Sequence, residues 1–370
     1  MPITVKKINF NKINTFINFA HKIYKGNPFW VAPLNSEIKK ILSDKNPFWQ
    51  HSKRQLFLAY DDNGIVVGRI AGIIDYNYID FQKKDIGFFG FFESIDDLEV
   101  AQKLFDAVKD WLSENNLNKM MGPMNPSTND EVGFLYEGFD SVPRIMMPYT
   151  HQYYISLAEK SGLIKIKELY AYDIPVALDE RMVRLNKALN IVKKRNPNIT
   201  VKNFNKNNFR KDLADVMEIY NSAWEKNWGF VPWTNDEFIS IANDLVNLLD
   251  ENIVMIAYEN ENPIGMLVAA PDYNFVFKKM KGRLFPLGIL KFLYYRKKIK
   301  ALRLMIMGVK KEYRKKGVEA YMSIEALKNA VKCGYKECEL SWILDDNIMT
   351  QRTAEMMTGT LYKRYAVYGN

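Results

Sequence analysis

One pattern occurs twice in this chain, and it limits the fold more than any other feature. Leu58-Ala59-Tyr60 leads through Asp62-Asn63-Gly64 into Val66-Val67-Gly68. Ile256-Ala257-Tyr258 leads through the polar stretch 259–263 into Ile264-Gly265. Short apolar runs around such turns read as β-hairpins. Each is followed by a strand, a turn, an amphipathic helix and another strand. In the first half these are a strand over 86–92, a turn near 93–97 and a helix over 98–114. Apolar residues at 101, 104, 105, 108, 111 and 112 give that helix one buried face. In the second half they are a strand over 302–309, a turn at 314–317, a helix over 318–333 stopped by Gly334, and a strand over 338–344. The spacing is uneven. Tyr60 and Tyr258 lie 198 positions apart, Leu98 and Val318 lie 220. About 22 extra residues therefore fall between hairpin and helix in the second half.

A chain of 370 residues suits two domains. The expected division is 1–175, a connecting helix within 176–198 bracketed by Pro175 and Pro197, and 199–370. The fold class is α/β, with a mixed sheet built from two tandem halves. A chain 48% hydrophobic and 14% aromatic can bury sizeable cores, which excludes a disordered chain. No secretory-signal pattern opens the sequence, and no run of about 18 apolar residues marks a spanning helix. Cys333 and Cys338 match neither zinc nor CxxC spacing. They read as small hydrophobes in a reducing compartment, the cytoplasm. His21, His51 and His151 fit no metal or triad spacing, so no metal is expected.

The net charge of +9 is concentrated. Lys278, Lys279, Lys281, Arg283, Lys291, Arg296, Lys297, Lys298 and Lys300 lie in one segment without an acid, and the rest of the chain sums to about zero. Apolar runs at 284–290 and 292–295 separate the basic clusters. The segment 275–300 reads as an insertion that docks on an anionic membrane surface, at the inner face, and guides a lipid to the cleft. The other reading is a loop and helix packed on the core. No nucleic-acid motif accompanies it, so nucleic acid is not expected as a partner.

The order of hairpin, strand, turn, helix and strand resembles the GNAT acyltransferase fold. Its members carry a turn (Gln/Arg)-x-x-Gly-x-(Gly/Ala), whose backbone N–H groups hold the cofactor pyrophosphate at a helix N-terminus. The matching run here is Arg314-Lys315-Lys316-Gly317-Val318-Glu319, with Glu319 in the last place. Asp346-Asn347 and Gly359 resemble the last GNAT motif, and Ala354 stands where many members carry a tyrosine acid. The whole chain resembles the bacterial ceramide synthase-like tandem GNAT proteins. The residues that carry this are Asn27 to Val31, Gly122 to Asn129, Gly138-Phe139-Asp140, Trp224 with Asn227 to Phe230, Pro271 to Asn274, and Glu339 to Leu344. The resemblance implies an acyl-CoA or acyl-carrier-protein thioester as co-substrate. It also implies fatty acyl transfer to a lipid amine such as a long-chain sphingoid base.

Acyl transfer to an amine needs an oxyanion donor, a base and a cradle for the thioester. The backbone of Met307, Gly308 or Val309 is the candidate donor, with a simple bulge or strand end at Gly308 as the other reading. Arg314, Lys315, Lys316, Gly317 and Val318 are the candidate phosphate cradle. Glu339 and Asp345 are the candidate bases, with Ser341 on the face of Glu339 by alternation and Asn347 in the last motif. Surface placement of Glu339 is the alternative. Asn125, Ser127, Asn129 and Glu131 lie on a polar loop suited to the acceptor or to turn and cap roles. Asn227, Trp228 and Phe230 belong to an aromatic run that is either a lipid wall or a core loop. The first half has acids at 93–97 where a Gly-rich turn belongs, so it reads as a degenerate partner shaping the acceptor cleft. A catalytically inactive scaffold that binds lipid or acyl groups is the rival reading, favoured by Glu319 and Ala354.

Overall fold

The computed structural model describes residues 2–225 and 227–370. In the first half the strands are β1 (Thr4–Ile8), β2 (Ser52–Tyr60), β3 (Val66–Asp75), β4 (Ile86–Ser94), β5 (Lys119–Gly122), β6 (Met124–Asn125), β7 (Glu131–Val132), β8 (Phe134–Glu137) and β9 (Ile164–Pro175). Its helices are α1 (Ile13–Ile23), α2 (Asn35–Ile41), α3 (Tyr76–Gln82), α4 (Leu98–Glu114) and α5 (Tyr153–Lys160). A linking helix α6 (Glu180–Arg195) follows. The second half has β10 (Ile199–Asn203), β11 (Met255–Glu259), β12 (Asn262–Pro271), β13 (Ala301–Val309), β14 (Glu337–Leu344) and β15 (Thr360–Gly369). Its helices are α7 (Phe209–Ala223), α8 (Asn235–Leu245), α9 (Asn274–Met280), α10 (Gly288–Tyr295), α11 (Val318–Lys332) and α12 (Ile348–Met356). The linking helix begins at Glu180, later than the expected Val176, whose N–H still ties the chain to the Lys336 carbonyl at 2.8 Å.

Local chemistry explains the repeated units. Asp61 Oδ1 accepts from the backbone of Asn63 and Ile65 and closes the first hairpin turn. Asp97 caps α4 through the N–H groups of Glu99 and Val100. Val100, Leu104, Phe105 and Val108 of α4 are fully buried.

All the strands but β6 and β7, which pair with each other, form one 13-stranded sheet, in the order β1-β2-β3-β4-β5-β15-β9-β14-β13-β12-β11-β10, with β8 also on β15. The last strand of each half crosses over. β9 lies against β14, from Glu337↔Pro175 to Leu344↔Leu169. β15 lies against β5 at Tyr368↔Gly122 and Gly369↔Met121. Residues 164–175, expected as part of the first half, thus pair with the fifth strand of the second, and the two halves share their centre.

The repeat reaches further than the sequence suggests. α3 ends on Lys83 with φ 54° and α9 ends on Lys281 with φ 53°. These lysines are 198 positions apart, the same offset as Tyr60 and Tyr258. α9 therefore belongs to the repeated unit, and the inserted residues begin after Lys281, not at 275.

An ion triad clamps the halves on one side. His51 Nδ1 is 3.3 Å from Asp75 Oδ1, and Nε2 is 3.2 Å from Glu237 Oε1. Asp75 also caps α3, and Glu237 completes the capping box of α8 with Thr234. Burial pulls the His51 pKa down, but the hydrogen bonds and charges of Asp75 and Glu237 outweigh it and raise it to about 9. Because the folded value lies above the unfolded one, the stabilisation is full below pH 6.5 and is lost as pH rises through about 9. With solvent screening at this half-buried site, its size is about 1–2 kcal/mol. Urea unfolding at pH 6 and at pH 10 should show this decline in the wild type and not in His51→Gln.

Candidate functional site

The second half opens between β13 and β14. Their parallel pairing runs only from Ala301↔Glu337 to Leu304↔Leu340. Beyond it, β13 carries a bulge that leaves Met305 out of register with β12. β14 breaks its ladder to β9 between Leu340 and Ile343. Extra residues in one strand bend it and end pairing. The two strands therefore part, and the edges of residues 305–309 and 341–344 have no register with each other.

The gap leads into a cavity of about 400 Å³, within the usual range for small-molecule sites. Its walls come from Met305, Ile306 and Met307 on β13, Ser341 to Leu344 on β14, and the faces of α7 and α8. The lining is largely apolar and aromatic, with Tyr220, Trp224, Trp228, Phe230, Trp233 and Phe238. Tyr220 stacks on Trp233 at 4.3 Å, and its hydroxyl donates to Asn129 Oδ1 at 2.9 Å. Asn129 in turn donates to the Val231 carbonyl at 3.2 Å. The loop of the first half thus closes the cavity of the second.

Of the expected acceptor residues, Asn129, Asn227, Trp228 and Phe230 lie on the cavity wall. Asn125, Ser127 and Glu131 do not. Ser127 is buried in a turn, where its hydroxyl donates to Asp130 Oδ2 at 2.6 Å and accepts from Asn129 N–H at 3.1 Å. Burial raises the Glu131 pKa, against the nearby Arg303 charge and an Asn125 hydrogen bond.

Asn125 has a different task. In the first half β4 and β5 pair over Ile86↔Lys119 to Phe88↔Met121. The chain then crosses the place where a cleft would open. A Cβ on Gly90 would lie 1.8 Å from the Met124 carbonyl oxygen. Phe91, held at φ 51°, donates its N–H to Asn125 Oδ1 at 2.6 Å. Non-glycine residues rarely hold such a conformation. The first half's equivalent of the β13–β14 gap is filled by its own backbone and one asparagine.

The candidate bases are placed unlike the sequence suggests. Glu339 is fully buried, not on the surface, and is not on the cavity wall. Its Oε1 accepts from Ser341 Oγ at 2.5 Å, its Oε2 accepts from Tyr362 Oη, and Arg303 Nε stands 3.6 Å away. The alternation that places Glu339 and Ser341 on one face is present, but it points them at Arg303. Asp345 and Asp346 both pair with Lys167 of β9 at 2.6 Å. Asn347 caps α12 through Thr350 N–H and lines the cavity. Ala354 is on the buried face of α12, packed with Tyr172, Ile174 and Ile343.

Around the candidate phosphate turn, Lys315 has φ 66° and Gly317 φ 84°. Gly317 is the N-cap of α11 and offers no side chain to its free N–H groups. A Cβ there would also meet Val192 of α6 at 2.6 Å. This backbone suits an anion such as a pyrophosphate. Arg314 is turned away from it. It donates to the Ala223 carbonyl at 2.5 Å and to the Val309 carbonyl at 3.3 Å. Lys316 lies over the Tyr313 ring. Gly308 does not mark the bulge. It makes room for the Trp224 indole, which a Cβ would approach to 2.3 Å. Met307 lines the cavity and also packs, with Val309, on the core cluster of α11. Among the described residues no group of three or more His, Cys, Asp or Glu is placed to hold a metal.

A parted central strand pair, a left-handed turn and an uncapped helix behind it define a tandem GNAT fold. The solved structure of a tandem GNAT protein from the clavulanic acid biosynthesis pathway matches all of this chain and 98% of its own, with a TM-score of 0.59 at 8% identity. A GCN5-related N-acetyltransferase from Sphaerobacter thermophilus matches with a TM-score of 0.54 at 10% identity, covering all of this chain and 95% of its own. No family model matches the chain. Among curated proteins, Protein YghO of Escherichia coli (strain K12) is 34% identical over 98% of this chain and 93% of its own. The bacterial ceramide synthase of Caulobacter vibrioides (strain NA1000 / CB15N) is 32% identical over 96% of this chain and 94% of its own. The chain has the tandem GNAT fold and belongs to the family that holds these two curated relatives.

Proposed function

We propose that this protein is an N-acyltransferase, moving a fatty acyl group from a thioester to a lipid amine at the gap between β13 and β14. The observation that carries the reading is that this gap opens onto an apolar cavity while its counterpart in the first half is filled. The ceramide synthase relative favours a sphingoid or similar long-chain amine. When bound, an acyl-CoA or acyl-carrier thioester supplies the activated carbonyl. The backbone of 315–318 would hold its phosphates, and Arg314 would hold the turn in shape. N–H groups on the free edge of β13 would meet the carbonyl oxygen, where a preorganised donor is worth most. The aromatic wall would take the alkyl chain and exclude water. Incubation with palmitoyl-CoA and sphinganine tests this. Amine-dependent thiol release with an N-acyl product by mass spectrometry is expected. Acyl binding without release, whatever the amine or carrier donor, would favour the inactive scaffold.

The inserted segment is proposed to dock on an anionic membrane. Phe285, Leu287, Leu290, Leu293 and Tyr294 are exposed there, beside Lys291, Lys297 and Lys298. Tyr273 and Phe292 stack and fix the segment to the core cluster of α11. That cluster lies on the opposite sheet face from α7 and α8, whose core is separate. The segment also adjoins the start of β13, whereas the gap lies beyond Leu304. It would therefore hold the protein at the surface without feeding lipid into the cavity, contrary to the expected guiding role. Among the described residues no helix is long and apolar enough to cross a membrane. Changing Lys297 and Lys298 to Glu should reduce flotation with anionic vesicles, at about 1 kcal/mol lost per basic residue near the surface.

A further inference from the structure

We propose that Asp130 is the general base that deprotonates the substrate ammonium, so that the plugged first half supplies a catalytic group to the cleft of the second. This rests on the acyl-transfer reading and names the proton acceptor within it. Asp130 is the one carboxylate on the cavity wall among the described residues. The sequence candidates Glu339 and Asp345 are both engaged elsewhere and off that wall. Ser127 anchors Asp130 twice, through its hydroxyl at 2.6 Å and its N–H at 3.2 Å. Both bonds land on Oδ2, and no hydrogen bond from the described residues reaches Oδ1. One oxygen is fixed and the other is left for a ligand.

The surroundings suit the task. Burial pushes the Asp130 carboxyl up to about 7, helped by the charges of Glu237 and Glu131 and opposed by the Ser127 bonds. A base is most effective when its pKa lies near the working pH. The groups around it are Glu131 at the start of β7, Glu237 on α8 and Tyr220 on α7, with Arg303 of β13 on the same cavity wall. Glu237 is held by His51, and Tyr220 by Asn129. In the step proposed, the carboxylate takes one proton from R–NH₃⁺. The freed nitrogen lone pair forms the C–N bond to the thioester carbonyl. The C–S bond then breaks, and the surplus N–H proton leaves with the thiolate as a thiol. Asp130 returns its own proton to water.

The test compares wild type, Asp130→Asn and Asp130→Glu with palmitoyl-CoA and sphinganine across pH 5.5–9. The wild-type rate should fall as pH drops through about 7. In Asp130→Asn, kcat should fall about 100-fold or more, with KM for acyl-CoA unchanged and the low-pH limb gone. Asp130→Glu should regain part of the rate with a shifted limb, which a merely structural role would not produce. Thermal melts at pH 8 check folding, and loss of a buried charge should not lower the Asn variant's Tm. If the Asn variant does not fold, the pH limb of the Glu variant decides: a shift supports the base, an unchanged limb overturns it. An active wild type beside an equally active Asp130→Asn overturns the base assignment alone. A wild type that releases no thiol with any amine or donor overturns the acyl-transfer reading and the base with it.

Discussion

Replacing Arg303 by methionine is expected to cost about 3–5 kcal/mol of folding stability. Arg303 is 4% exposed and is the hub between the halves. Its Nη1 donates to the Ile145 and Met146 carbonyls at 2.8 and 3.0 Å. Its Nε donates to Ser341 Oγ at 2.9 Å and faces Glu339. Burial pulls the Arg303 pKa down, and the Glu339 charge opposes that. Removing the guanidinium strands a fully buried carboxylate and two carbonyls. Breaking one member of a buried pair is far more damaging than removing both. The double replacement Arg303→Met with Glu339→Met should therefore recover much of the loss. Urea unfolding of the three variants measures it. A single variant within 1 kcal/mol of wild type would mean that the hub does not join the halves.

Ala242→Trp is expected to slow turnover of long acyl chains strongly and spare short ones. Ala242 lies on α8 and lines the cavity, with open space in front of it. An indole there fills volume that a palmitoyl chain needs. Adding bulk to a filled core costs about 1–3 kcal/mol, and facing a void costs less. The rate with palmitoyl-CoA should drop about 100-fold, equivalent to about 2.7 kcal/mol of lost transition-state binding. The rate with acetyl-CoA should change little. A parallel loss for both donors would place the chain elsewhere.

The local parts of the fold are legible in the sequence. Hairpin turns, the cap at Asp97 and the left-handed turn at Gly317 depend on residues close together in the chain. The exchange of β9 and β15 is not legible, since it rests on register between segments more than 150 residues apart. The burial of Glu339 was hidden for a similar reason, because Arg303 sits on the neighbouring strand. The repeat of α3 in α9 had a signal, the constant 198 offset at Lys83 and Lys281, but the run of lysines masked it. Asp130 had one too, as the fourth residue of a Ser127-to-Asp130 turn.

Several of the motifs that carry the resemblance serve as scaffolding. Asn27 Oδ1 accepts from Phe29 and Trp30 N–H. Gly138, at φ 87°, and Ser141 offer carbonyls to the buried Lys363 amine, which burial pulls down to about 8. Asp272 accepts from Ile145 N–H at 2.8 Å. These contacts hold the fold together.

Titration calorimetry with a hydrolysis-resistant palmitoyl-CoA analogue tests most directly whether one half alone holds the thioester. One molecule per chain is expected, with binding weakened in Ala242→Trp. Two molecules per chain would mean that the first half keeps an open cleft despite Met124 and Asn125. No binding, by the CoA analogue or by an acyl-carrier equivalent, would contradict the thioester site between β13 and β14.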